Sequence, residues 1–157
     1  MPLPIPYRCA RNNPIVTHSM GSILVRAALS AGDYARVGRV VMLAPPHGGS
    51  RVATLFSGLL GSICKPLPQL RHTPESLVNN LPAPAGHDIG IIAASRDRMV
   101  HVEHTHLATQ SDHIVVPGGH TTILFRPNVA RLVKSFLHSG SFEAVEPSAV
   151  KDLPSVV

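Results

Sequence analysis

With 157 residues, 44% hydrophobic and 15% charged, the chain suffices for one buried core and does not read as disordered; its 15 prolines and 12 glycines fall between apolar runs, as loop punctuation. Fourteen Lys and Arg against nine Asp and Glu give a net charge of +5, which could favour nucleic acid or an acidic membrane surface, but no two basic residues adjoin, and two Tyr, four Phe and no Trp offer little for stacking bases, so the pattern argues otherwise and reads as a generally basic surface. Two cysteines, Cys9 and Cys64, are too few for a disulfide framework and lack the spacing of a zinc or redox site; whether they pair is left open.

No run of about eighteen apolar residues marks a membrane span, and the proline-broken stretch from Met1 to Arg8 lacks the apolar core of a secretory signal, so a soluble, cytoplasmic protein is expected.

Residues 1–13 mix Pro, Arg and Asn without period and read as an irregular lead-in. Pro14 to Thr17 is a short β-favouring run. It precedes apolar positions Met20, Ile23, Leu24, Ala27, Ala28 and Ala31, the spacing of a helix facing a core, with Gly32 placed to end it. Arg39 to Ala44, closed by Pro45 and Pro46, has the continuous apolar character of a strand buried on both faces. Residues 50–63 are helix-compatible despite Gly58 and Gly61, and 64–86 form a long proline-rich connection. Ile89 to Ala94 and His113 to Val116 are the third and fourth strands. Val129, Leu132, Val133, Phe136 and Leu137 mark a second amphipathic helix, with Pro127 in its first turn and Gly140 at its exit, and residues 141–157 form a loose tail. Apolar strands alternating with helices predict the α/β class: a mostly parallel sheet of about four strands flanked by helices, in one domain spanning 14–140.

The segment Val16-Thr17-His18-Ser19-Met20-Gly21 puts a serine at a strand-to-helix junction. A serine there projects its hydroxyl from the C-terminal edge of a sheet, and the helix start offers backbone N–H groups and a favourable dipole to an oxyanion. Gly21 is expected to relieve a close approach of strand and helix. The HSMG run, the following Ser22-Ile23-Leu24-Val25-Arg26 and the later Ala44-Pro45-Pro46-His47-Gly48-Gly49-Ser50 together resemble the α/β-hydrolase family, within it the serine esterases and lipases. Thr17 stands where that family's Gly-x-Ser-x-Gly motif has its first glycine.

The resemblance implies a partial α/β-hydrolase fold and a triad in the chain order Ser, acid, His. Ser19 is the expected nucleophile, Asp97 after the third strand the acid, His120 after the fourth the base, and the N–H of Met20 an oxyanion donor. Asp88 and Asp112 are rival acids. His18 is expected to pack beside the serine, and His47, His72, His87 and His138 to be ordinary surface or loop residues. His101, His104 and His106 are dense but fit no standard metal spacing, so no metal and no cofactor are expected.

The family has about eight strands, and its second oxyanion donor comes from a loop after an earlier strand. The resemblance here begins near Asn13, at the family's fifth strand, and ends near Phe142. An isolated chain of this extent is expected to turn over slowly, since one missing donor costs about 100- to 1000-fold. The strand before Ser19 is expected to expose an edge through which chains associate as homo-oligomers. The implied function is carboxylester hydrolysis of small-molecule or lipid esters, with Val52 to Ile63 packing in the core, lining an acyl pocket or forming a lid. The alternative is a non-catalytic fragment of such a domain, serving as an interaction module or a gene remnant.

Overall fold

A computed structural model describes residues 13–32, 36–48 and 80–142. The helix expected over 50–63, most of the 64–86 connection, the lead-in before Asn13, the tail beyond Phe142, both cysteines and His72 lie outside the described residues. Four strands, β1 (Asn13–His18), β2 (Val37–Leu43), β3 (Ile89–Ala94) and β4 (Asp112–Val116), form one sheet in the order β1-β2-β3-β4. All three pairings are parallel, with His18 beside Leu43, Leu43 beside Ile92 and Ile92 beside Ile114. Among the described residues the helices with full bounds are α1 (Met20–Ala31) and α2 (Pro127–Ser139), and 3-10 turns occupy Val102–His104 and Thr122–Phe125.

All six residues of β3 are buried, as are the last four of β2, which is why these strands read as unbroken apolar runs. Their side chains alternate between two cores. Val41, Leu43, Ile92 and Ala94 pack with Ile123 and with Val129, Leu132 and Phe136 of α2. Val40, Met42, Ile89 and Ile91 pack on the other side with Leu29 of α1 and Leu107. Gly90 lies under the aromatic pair Phe136 and Phe142, whose ring centroids are 4.9 Å apart; a Cβ there would come within 2.7 Å of both rings.

Helix α2 starts with Pro127 and ends at Gly140, whose φ of 87° lets its N–H reach the Phe136 carbonyl at 2.8 Å. Helix α1 ends differently from expectation: Gly32 is extended, with φ −156°, so no left-handed residue closes it. Its buried face also differs. Ser22, Ile23, Arg26 and Leu29 face inward, while Leu24 is exposed. Arg26 can be buried because its guanidinium donates to the backbone carbonyls of Pro82 at 3.1 Å, of Leu81, and of His47 at 3.4 Å. The β2 strand stops one residue earlier than its apolar run, because Ala44 turns away with φ 45°. Among the described residues no helix is long and apolar enough to cross a membrane.

Candidate active site

Parallel strands bring all their C-terminal ends to one rim, and the loops leaving β1, β3 and β4 there carry Ser19, Asp97 and His120 in turn. Ser19 sits in the one-residue turn between β1 and α1 with φ 52° and ψ −122°, a conformation side chains seldom adopt. Three contacts hold it there. Its own N–H donates to the Leu43 carbonyl at the end of β2 (2.8 Å), its carbonyl accepts from Ser22 N–H (3.0 Å), and the hydroxyls of Thr17 and Ser22 bond across the turn at 2.8 Å. Strand, neighbouring strand and helix thus all fix the serine backbone. Gly21 matters less than the sequence suggests: a Cβ there would lie 3.7 Å from the Thr17 Cβ, an ordinary contact.

The three side chains form one hydrogen-bonded chain. His120 Nε2 lies 2.8 Å from Ser19 Oγ, and His120 Nδ1 lies 2.7 Å from Asp97 Oδ2. A carboxylate can only accept, so the proton of a neutral His120 sits on Nδ1, leaving Nε2 to accept from the serine hydroxyl. The Asp97 side chain is only 1% exposed and that of His120 9%, so both bonds are shielded from water. The remaining Asp97 oxygen, Oδ1, accepts from the N–H groups of Met99 (2.8 Å) and Val100 (2.9 Å), which locks the carboxylate's rotation. The two loops are also tied by their backbones, since Ser95 N–H donates to the Val116 carbonyl and Arg96 N–H to that of Gly118, each at 2.9 Å. Gly118, with φ 155° and no room for a Cβ beside Ile123, makes the turn that delivers His120.

Asp88 and Asp112 are elsewhere. Asp88 precedes β3 and pairs with Arg39 at 3.2 Å; Asp112 begins β4 and accepts from the N–H groups of His113 and Phe142, each at 2.7 Å. Both therefore occupy the opposite end of the sheet from the serine. Met20 is the first residue of α1, beside Ser19. His18 packs at the site, as its position suggests, and does more: its Nε2–H donates to the His120 carbonyl at 3.0 Å, with the two rings 4.8 Å apart.

The other histidines divide. His106 stacks on His113 at 4.0 Å and bonds Gln110, while His101 and His104 face each other at 6.0 Å; among the described residues no three such groups could hold a metal ion. His47 is not the surface residue its loop position suggests. It is only 5% exposed, neither ring nitrogen has a hydrogen-bond partner among the described residues, and burial, helped by the charge of Arg26, lowers its pKa to about 3. Nothing in its sequence setting signals that burial, because the carbonyl contact to Arg26 is made across the fold.

No protein-family model matches the sequence, and no curated protein matches it. Solved structures do. BpoC from Mycobacterium tuberculosis, assigned as a non-heme bromoperoxidase, aligns with a TM-score of 0.51 at 14% identity, over 80% of this chain and 66% of its own. A hydrolase from Pseudomonas aeruginosa aligns with a TM-score of 0.50 at 14% identity, over 82% of this chain and 65% of its own. The Pyrococcus furiosus esterase Pf2001 gives a TM-score of 0.46 at 18% identity, over 78% and 52%. The chain thus spans just under two thirds of the first two. At these identities the likeness is one of fold: the four parallel strands and two helices are part of an α/β-hydrolase fold.

Proposed function

We propose that the protein is a serine carboxylester hydrolase working through an acyl-enzyme intermediate, with residues 14–140 contributing to its α/β-hydrolase domain. The observation that supports this most is the unbroken hydrogen-bonded chain from Ser19 through His120 to the buried Asp97. In this reading Ser19 Oγ attacks the ester carbonyl carbon while His120 Nε2 takes the hydroxyl proton. The Asp97 carboxylate holds His120 in the productive tautomer and stabilises its cation. The carbonyl oxygen, now an anion, is held by the N–H of Met20 at the start of α1. His120 returns its proton to the leaving alcohol as the C–O bond breaks, and then activates a water that releases the acid. The nucleophile, base, orienting acid and one oxyanion donor are all groups of this chain, and the scheme uses no cofactor. The substrate class is small-molecule or lipid esters.

Hydrolysis of p-nitrophenyl esters by the wild type and Ser19→Ala tests the proposal, since contaminating esterases survive the substitution. Loss of turnover in Ser19→Ala is expected, and equal rates would remove the enzymatic reading. They would favour instead a non-catalytic interaction domain. Among the described residues β1 pairs with β2 alone, and its other edge is proposed to pair with a second copy of the chain. Sedimentation should show self-association, and a strictly monomeric species would count against it.

A further inference from the structure

The loops that deliver Asp97 and His120 also carry an apolar and cationic projection that the hydrolytic scheme does not use. After His120 the chain makes the 3-10 turn Thr122–Phe125, in which Ile123 is wholly buried and anchors the turn to the core. Its two neighbours face outward: Phe125 is 81% exposed and Leu124 41%. On the adjoining loop Met99, two residues past Asp97, is 44% exposed. Burying large apolar side chains is the main driving force of folding, so three displayed on the rim of one site ask for a partner.

The charges on the same two loops identify that partner's chemistry. Residues 95–100 and 117–126 contain Arg96, Arg98 and Arg126, and their one acid, Asp97, is buried beneath His120. Arg96 and Arg98 are exposed, and the Arg126 guanidinium lies against Gly118, where a Cβ would be 3.3 Å from its Nε. The nearest exposed acid along the chain, Glu103, already faces His104 at 3.8 Å. Exposed apolar side chains on the same two loops as arginines that have no acidic partner among the described residues match a layered partner: phosphate-bearing and negative at its surface, hydrocarbon beneath.

We propose that this rim, formed by Met99, Leu124 and Phe125 with Arg96, Arg98 and Arg126, docks on anionic lipid bilayers. Docking brings the rim that carries Ser19 to the lipid surface. It goes beyond the proposed hydrolysis and does not require it, because the docking residues are none of those assigned to the chemistry.

The test is co-sedimentation of the full chain carrying Ser19→Ala with vesicles of phosphatidylcholine alone or with roughly one-third phosphatidylglycerol. Binding is expected to the anionic vesicles, to weaken in high salt, and to fall about fivefold with each of Arg96→Gln and Arg98→Gln. Phe125→Ser should lower it about tenfold or more. The sequence has no tryptophan, so Phe125→Trp gives a single indole that keeps the apolar tip. Its emission should shift to the blue on anionic vesicles and stay unshifted with phosphatidylcholine.

Equal binding to both vesicle types, no binding, or full binding by Phe125→Ser would overturn the proposal. So would a blue shift that follows protein concentration without vesicles, which would make the patch a contact between copies. Ester hydrolysis by wild type is scored separately, so docking without turnover, or turnover without docking, shows which reading has failed.

Discussion

Replacing Asp97 by asparagine probes the site through a single proton. The Oδ1 position of Asp97 receives two backbone N–H groups, from Met99 and Val100, so an asparagine there must place its carbonyl oxygen at that position. Its amide nitrogen then takes the place of Oδ2, 2.7 Å from His120 Nδ1, and donates to it. His120 Nδ1 is forced to accept, its proton moves to Nε2, and Nε2 now points a hydrogen at Ser19 Oγ where a lone pair is required. The shape of the site is retained and its basicity toward serine is lost. A wrong tautomer of this kind costs about 10⁴-fold in kcat, or about 5 kcal/mol of barrier. Steady-state hydrolysis of a p-nitrophenyl ester, with Ser19→Ala as the background, measures it, and a thermal midpoint near that of the wild type would show that the fold is intact. Asp97→Asn retaining activity within about tenfold of wild type would refute the assignment of Asp97 as the orienting acid.

Gly90→Ala should destabilise the protein by about 1–3 kcal/mol, because its methyl group must displace the Phe136 and Phe142 rings now 2.7 Å from its position; an unchanged urea midpoint would show the ring pair to be loosely packed. His47 governs acid stability. Its folded pKa of about 3 lies below the ordinary 6.5, so the unfolded chain takes up a proton that the folded one excludes. The resulting stability is complete above about pH 6.5 and is lost as pH falls toward about 3, and His113, lowered chiefly by burial, acts in the same direction. His47→Leu should flatten this acid limb, measured as the difference in unfolding free energy between about pH 7 and about pH 4.5; an undiminished difference would contradict it.

Much of the fold was legible because the central strands are buried on both faces. Ile89 to Ala94 reads as an unbroken apolar run for the same reason that all six residues are buried. Ser19, Asp97 and His120 could be singled out because each follows a strand, and a parallel sheet sends all such positions to one rim. The same logic sorts the acids after the fact, since Asp88 and Asp112 stand at strand beginnings. Periodicity failed on α1, where it counts apolar residues and cannot see carbonyls more than fifty positions away; Arg26 turns inward to them and Leu24 outward. The burial of His47 and the bond from His18 to the His120 carbonyl were hidden likewise, because each depends on chain segments distant in sequence.

The inward-turned Arg26 has a consequence for the chain's tolerance of change. By grasping the carbonyls of Leu81 and Pro82, it tethers the segment just ahead of β3 to a helix laid down before β2. The re-entry point of the polypeptide ahead of β3 is therefore held by α1. The placement of β3, and of Asp97 beyond its far end, is thereby coupled to the helix that starts beside Ser19.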